Sequence, residues 1–303
     1  MFMNLKQFKY VLTLARSESF AKAADSLNIS QPSLSQYVKK IEQQLGVELF
    51  DRTGGTVRLT DAGRIYIEAG RKILDLERQM YGQFNDLAEY KTGSIVVGTS
   101  PYRCAAMMPL VAKQFQTQYP GMYIVVEEMT SQELIDNAAH GQFDLCLTML
   151  PLDERKFCYE KITEEELILV VPSDYPPLPA VHLADRKYPA IDTGVIDHQP
   201  MIMITENQWM QQALDQIAVD YRLSFRRAAV VKSLEAQIAM VRAGVGMALL
   251  PSGIERFCAP GEVTCYSFAQ QLPKREVVVM WQKERCLNQV TQDLIGTMKK
   301  ILW

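Results

Sequence analysis

The stretch SFAKAADSLNISQPSLSQYVKKIEQQLGVELFDRTGGTVRLTDAG, residues Ser19 to Gly63, packs two helical periodicities, a tight turn and a hairpin into 45 residues. Phe20, Ala23, Ala24 and Leu27 recur at i, i+3, i+4 and i+7, one face of a short helix. Its two alanines leave room for another helix to cross at close range. Asn28-Ile29-Ser30 reads as a turn, and a second helix opens at Gln31-Pro32, where proline's missing N–H leaves nothing unpaired. Its apolar stripe is Leu34, Val38, Ile41 and Leu45, and Gly46 is a suitable terminator. Upstream, Leu5, Phe8, Val11, Leu12 and Ala15 predict a preceding helix, broken at Ser17-Glu18-Ser19. Downstream, Val47–Arg52 and Val57–Leu59 flank Gly54-Gly55 and read as a β-hairpin.

The outer face of the helix from Gln31 to Leu45 carries Gln31, Ser33, Ser35, Gln36, Lys39 and Lys40, with no carboxylate until Glu42. Amide, hydroxyl and ammonium groups on a helix N-terminus can bond base edges and phosphates in a major groove. A face that is merely solvated would ordinarily mix in Asp or Glu. The pattern therefore predicts a winged helix-turn-helix over residues 1–59, with Ser19, Gln31, Pro32, Ser33, Ser35, Gln36, Lys39, Lys40, Arg52 and Arg58 as the DNA-contact set. Arg52 and Arg58 stand where a wing reaches a phosphate or the minor groove.

The net charge of −3 conceals an asymmetry. Residues 1–60 carry 8 Lys/Arg against 5 Asp/Glu, whereas residues 92–303 carry 19 against 24. A basic head on an acidic body suits a protein that meets phosphates at one end only. With 48% apolar and 22% charged residues the chain is composed like a globular protein. Its apolar runs are strand-sized, and MFMNLKQFKY has no secretory pattern, so the expected location is cytoplasmic, with no membrane partner.

Ser19-Phe20, Ala23-Ala24, Leu27, Ser30 to Ser33, Ser35, Ile41-Glu42, Leu45-Gly46, Leu49-Phe50, Arg52, Leu59-Thr60 and Ala62-Gly63 together resemble the LysR-type transcriptional regulator signature, almost position for position. Gly54-Gly55 departs from it, since the family often places a basic residue in the wing. The resemblance extends in outline over the whole chain. It implies double-stranded DNA as a partner and self-association as a dimer and a dimer of dimers. It further implies contact with RNA polymerase, and a body similar to periplasmic binding proteins with its effector between two lobes.

Between residues 60 and 92 the apolar residues Ala62, Tyr66, Ala69, Ile73, Leu76, Met80, Phe84 and Leu87 are spaced like heptads, and the first seven are the expected dimerisation seam. Thr60 reads as the N-cap, with Asp61 beside the helix N-terminus. Such a helix can pack on its own domain or on a second copy; paired heads would match half-sites about one turn apart.

From residue 93 to 303 strands alternate with helices, which argues an α/β parallel-sheet body. Strands are expected at Ile95–Gly98, Tyr123–Glu127, Phe143–Leu147, Met201–Ile204, Arg226–Val231, Val245–Leu250, Val263–Ser267 and Glu276–Trp281, with a last helix over Leu287–Leu302. Lobe I is assigned to 93–163 and 270–303 and lobe II to 164–269, with crossovers near Glu160–Leu167 and Phe268–Pro273. The fold class is thus α/β, with an all-α winged head, a long linker helix and a two-lobed effector domain.

Ligands of open α/β sheets lie beyond the carboxyl ends of the strands. There stand Thr99, Ser100, Thr130, Ser131, Thr148 and Thr205, the candidate effector residues. Ser100 before Pro101, Thr130 with Glu133 and Thr205 with Gln208 fit helix caps, whose free N–H groups suit an anion. Arg103 can add a charge. Ala243-Gly244-Val245-Gly246 is a tight turn rather than a phosphate loop. Six cysteines without a CxxC and three scattered histidines offer no metal spacing, and no nucleophile–base set is visible. The expectation is a non-enzyme without cofactor, a DNA-binding regulator tuned by a small anionic metabolite. The alternatives are an enzyme or transport-type binding protein with an accessory head, and a constitutive DNA binder with a structural body.

Overall fold

A computed structural model of the chain describes residues 4–52, 57–87, 92–205, 209–272 and 274–302. The head holds α1 (Leu5–Ser17), α2 (Phe20–Ser26), α3 (Gln31–Leu45) and a hairpin of β1 (Phe50–Asp51) with β2 (Arg58–Leu59). Asn4 caps α1 through Lys6 N–H, and Glu18 ends it in the left-handed conformation at φ 48°. Gly46 ends α3 at φ 71°, a conformation glycine adopts without steric cost. Phe8, Val11, Leu14, Ala23, Ala24, Leu34, Val38, Leu49 and Phe50 are all buried in one core. The β1–β2 pairing aligns Phe50 with Leu59 and Asp51 with Arg58. The Gly54-Gly55 turn expected between them lies outside the described residues.

Helix α4 (Asp61–Leu87) is capped by Thr60, whose Oγ1 accepts from Gly63 N–H at 3.0 Å. The expected seam divides. Tyr66 is 8% exposed and packs its ring 5.1 Å from that of Phe8, so it belongs to the head's own core; Ala62 and Ile73 pack beside it. Leu76, Met80 and Phe84 stay exposed at 64%, 45% and 56%, joined by Ile65, which the heptad reading passed over. The reason is that one face of the first turns of α4, carrying Ala62 and Tyr66, covers α1, which leaves Ile65 on the outward side.

The body contains two sheets. The first has the order β4 (Met122–Glu128), β3 (Gly93–Thr99), β5 (Leu145–Met149), β14 (Arg275–Gln282), β6 (Phe157–Glu165). Strand β3 runs parallel to β4 and β5, while β14 runs antiparallel to β5 and β6. Helices α5 (Pro101–Gln118) and α9 (Gln289–Leu302) pack on one another, and α6 (Ser131–Ala139) packs on Phe143, Cys146 and Met280. The second sheet has the order β12 (Ala248–Pro251), β7 (Leu167–Pro172), β13 (Val263–Phe268), β9 (Ala190–Ile191), β8 (Ala180–Val181). Beside it lie the parallel pair β10 (Pro200–Ile204) and β11 (Arg226–Val231), and helices α7 (Trp209–Tyr221) and α8 (Leu234–Arg242).

Three differences from the sequence reading follow from chain direction. Residues 157–165, read partly as a crossover, form a full strand beside β14, so the first passage between sheets narrows to Glu166. The second sheet is mostly antiparallel, because β7 enters from the first lobe and β12 and β13 return beside it in the opposite sense. Val245 to Met247 lead into β12 without joining it, although Met247 bridges to Met201.

Candidate functional site

Helix α3 begins at the Ser30 cap, whose Oγ accepts from Ser33 N–H at 3.3 Å, with Pro32 in the first turn. Gln31, Pro32, Ser33, Gln36, Lys39 and Lys40 are exposed and Ser35 is half-buried. Among the described residues Gln36, Lys39 and Lys40 make no hydrogen bond or ion pair within the chain, so their donors are available outward. Glu42, the acid that ends the polar run, turns inward and is buried. Its Oε1 accepts from Leu49 and Phe50 N–H at 2.9 and 3.2 Å, and its Oε2 pairs with Arg52 Nη2 at 2.6 Å. The one carboxylate that would repel a phosphate thus ties hairpin to helix.

Arg52 stays exposed while its guanidinium is tied to Glu42 and stands 5.2 Å from the Phe20 ring. Arg58 is exposed on β2. Ser19 occupies the N-cap position of α2 without making the side-chain cap bond.

The second site is a cleft of 760 Å³ between the sheets. Its wall includes Ser100, Thr130, Ser131 and Thr205. Ser100 Oγ accepts from Arg103 N–H at 3.4 Å at the start of α5. Thr130 and Glu133 form a reciprocal capping box on α6. Gln208, the proposed partner of Thr205, lies outside the described residues. Ser233 adds a capped helix start that the sequence reading missed, its Oγ accepting from Ala236 N–H at 3.2 Å ahead of α8. Thr99 and Thr148 are not in the wall. Both are buried in the sheet, and Thr99 Oγ1 donates to the Leu147 carbonyl at 3.1 Å.

The cleft holds two buried arginines, and its wall also carries Lys232 with Glu128, Glu133 and Glu235. Arg103 and Arg275 are 3% and 4% exposed and share one buried acid, Glu165, at 3.4 and 3.6 Å. Arg103 Nε is buried without a partner. Arg275 directs Nε and Nη2 at Met149 Sδ, 3.0 and 2.8 Å away, and Nη1 at Met210 Sδ, 3.1 Å away, with the Trp209 ring 4.8 Å from its guanidinium. Thioethers are weak acceptors, so this guanidinium is poorly satisfied. Burial, and then the charge of Arg103, pull its pKa down to about 10, which leaves it charged at neutral pH. Glu235 Oε1, also buried without a partner, belongs to a residue of the same wall. A ligand with both an acidic oxygen and a donor would complement this set. Arg275, Met149 and Met210 are far apart in sequence, and no local pattern pairs them.

No group of His, Cys, Asp and Glu among the described residues is arranged to hold a metal ion. Among those residues no helix is long and apolar enough to cross a membrane.

Residues 5–64 match the family of bacterial regulatory helix-turn-helix proteins of the lysR type, and residues 88–302 match the LysR substrate binding domain. The chain is 28% identical over 314 residues to YcgK of Bacillus subtilis, an uncharacterised HTH-type transcriptional regulator, covering 99% of this chain and 95% of that one. It is 27% identical over 260 residues to AlsR of the same organism, covering 82% and 81%. In fold it is similar to a full-length OxyR variant of Pseudomonas aeruginosa, with TM-score 0.71, 24% identity and 98% of each chain covered. It is likewise similar to the LysR-family regulator CbnR in complex with its target DNA, with TM-score 0.68, 19% identity and 98% and 99% covered. A carboxylate-free helix face on a winged head, joined by a long helix to a two-sheet body, and both family matches lead to one conclusion: the chain is a DNA-binding transcriptional regulator of the LysR family.

Proposed function

We propose that this regulator responds to a small anionic metabolite held in the interlobe cleft, and that it reads DNA through Gln31, Ser33, Ser35, Gln36, Lys39 and Lys40 with Arg58 at the wing. The observation that carries the effector reading is the pair of buried arginines sharing a single carboxylate beside a cavity of 760 Å³. Two cations against one anion leave a positive charge whose donors face sulfur instead of oxygen, and a carboxylate would supply the missing acceptors. The capped starts of α5, α6 and α8 add backbone donors on the same wall. Glu235 Oε1 favours an acid that also carries a hydroxyl or ammonium donor.

In this reading the protein is a non-enzymatic cytoplasmic switch. It dimerises through the exposed stripe Ile65, Ala69, Leu76, Met80 and Phe84, assembles as paired dimers and acts with RNA polymerase. Effector in the cleft changes the angle between paired dimers and so the seating of the heads on DNA.

The test is a thermal-shift screen of small hydroxy, amino and dicarboxylic acids, followed by DNA gel shifts. A true effector at about a hundred times its Kd stabilises the chain by about 2.7 kcal/mol, and Arg275→Met removes that effect. A panel that neither raises the melting temperature nor alters DNA affinity would sink the reading and favour a constitutive DNA binder.

A further inference from the structure

A second cavity, of 330 Å³, lies where the head, α4 and the first lobe meet. Lys9 and Arg16 of α1, Arg71 and Arg78 of α4 and the Gly141-Gln142 turn after α6 line it, and Glu77 is the one acid among the lining residues. Three of the cations are engaged. Lys9 Nζ is 3.4 Å from Glu77, Arg16 Nη2 donates to Gln142 Oε1 at 3.0 Å, and Arg78 Nη1 donates to the Gln142 carbonyl at 3.0 Å and pairs with Asp75. Arg71 is the exception. Its Nε is closed off from solvent and meets no acceptor, and among the described residues the guanidinium has neither hydrogen bond nor ion pair. Burial, and then the charge of Arg16, lower its pKa, the mark of a cation held where cations are disfavoured.

We infer that this joint is a second anion site, distinct from the interlobe cleft, and that it takes a phosphate group. Four cations meet Glu77 in the lining and Asp75 on Arg78, so two positive charges remain, which favours a dianion over a monocarboxylate. Guanidinium forks match phosphate oxygens in pairs. The site stays open when α4 pairs through its apolar stripe: Arg71 and Met80 are nine residues apart, about two and a half turns, and so face opposite ways. A phosphate here bridges α1 of the head, α4 and the C-terminal end of α6. The other end of α6, at Thr130, forms part of the cleft wall. Occupancy therefore holds the head against the first lobe, and an empty site leaves that contact with an unpaired cation.

The test is a titration of inorganic phosphate into the full chain at fixed ionic strength, with chloride as the balancing anion and melting temperature and calorimetric heat as readouts. Wild type shows a saturable rise in melting temperature. Arg71→Met, which keeps the apolar stem, melts above wild type without phosphate, and its phosphate affinity falls about tenfold or more. Arg16→Ala, at an exposed position, lowers phosphate affinity in the same direction, and Arg103→Ala in the cleft leaves it intact. Four results would overturn the assignment: no saturable binding; an undiminished rise in Arg71→Met; a rise lost only in Arg103→Ala, which places the phosphate in the cleft; or unchanged phosphate binding in an Arg71→Met protein that loses affinity for all DNA sequences alike, which makes Arg71 a DNA-backbone contact.

Discussion

Gln36 and Lys39 sit one turn apart on α3, yet their chemistry separates them. An amide can bond a base edge, so Gln36→Ala lowers specific over non-specific DNA binding by about 1–3 kcal/mol; a specificity ratio that does not move in competition gel shifts would remove Gln36 from the reading set. An ammonium meets phosphate, so Lys39→Ala weakens binding to every sequence and reduces the salt slope by about 1, as salt-dependent titrations will report. The exposure of both residues was legible because they stand on a helix whose apolar stripe fixes which face is outward. Glu42 was not. Only the return of the hairpin shows that its carboxylate caps Leu49 and Phe50 N–H and pairs with Arg52. The cysteines follow the same division. Burial pushes the Cys104 and Cys265 thiols up to about 11 and Cys146 up to about 12, so thiolates are scarce there at neutral pH. Cys286 is exposed, and timed alkylation with mass spectrometry will find it modified first.

At the level of the element, caps and seams carry the predictions. Thr130 and Glu133 satisfy the start of α6 reciprocally, and Thr130→Ala costs about 1 kcal/mol by denaturant titration. The same change removes a wall residue of the cleft, so effector affinity falls with it. On α4, Leu76→Glu with Met80→Glu places charges in an exposed apolar stripe and converts a dimer to monomers in sedimentation velocity. Tyr66→Phe leaves assembly unchanged, because that ring packs on Phe8 inside its own head. A heptad count weighs all apolar residues alike, and cannot tell which turns of a long helix another domain covers.

Across the whole molecule, the joint between linker and body is an ion cluster. Arg285 Nη1 reaches Asp75 Oδ1 at 2.7 Å, its Nη2 pairs with Asp144, and Arg78 joins Asp75 to the Gly141-Gln142 turn. All the Arg285–Asp75 atoms are in a buried setting, each side chain about 5–6% exposed. Removing one partner of a buried pair typically costs about 3–5 kcal/mol, so Arg285→Ala destabilises by that order in calorimetry. Gly141 explains how close the turn comes: it holds φ +69°, and a Cβ there would stand 2.8 Å from the Asp75 carboxyl. Gly141→Ala therefore loosens the joint, and the melting temperature falls in calorimetry.

Local patterning determined the winged head, the capped helix starts and the existence of one long helix, since periods of 3.6 and 2 and cap chemistry act over a few residues. The order of the strands, the mostly antiparallel second sheet, the buried arginine pair of the cleft and the joint were decided by tertiary structure. The chain passes between the sheets twice, and those passages set Arg103 against Arg275 and Asp75 against Arg285. Such pairs meet across separations of well over a hundred residues, where no sequence period reaches and only the closing of the fold chooses the partners.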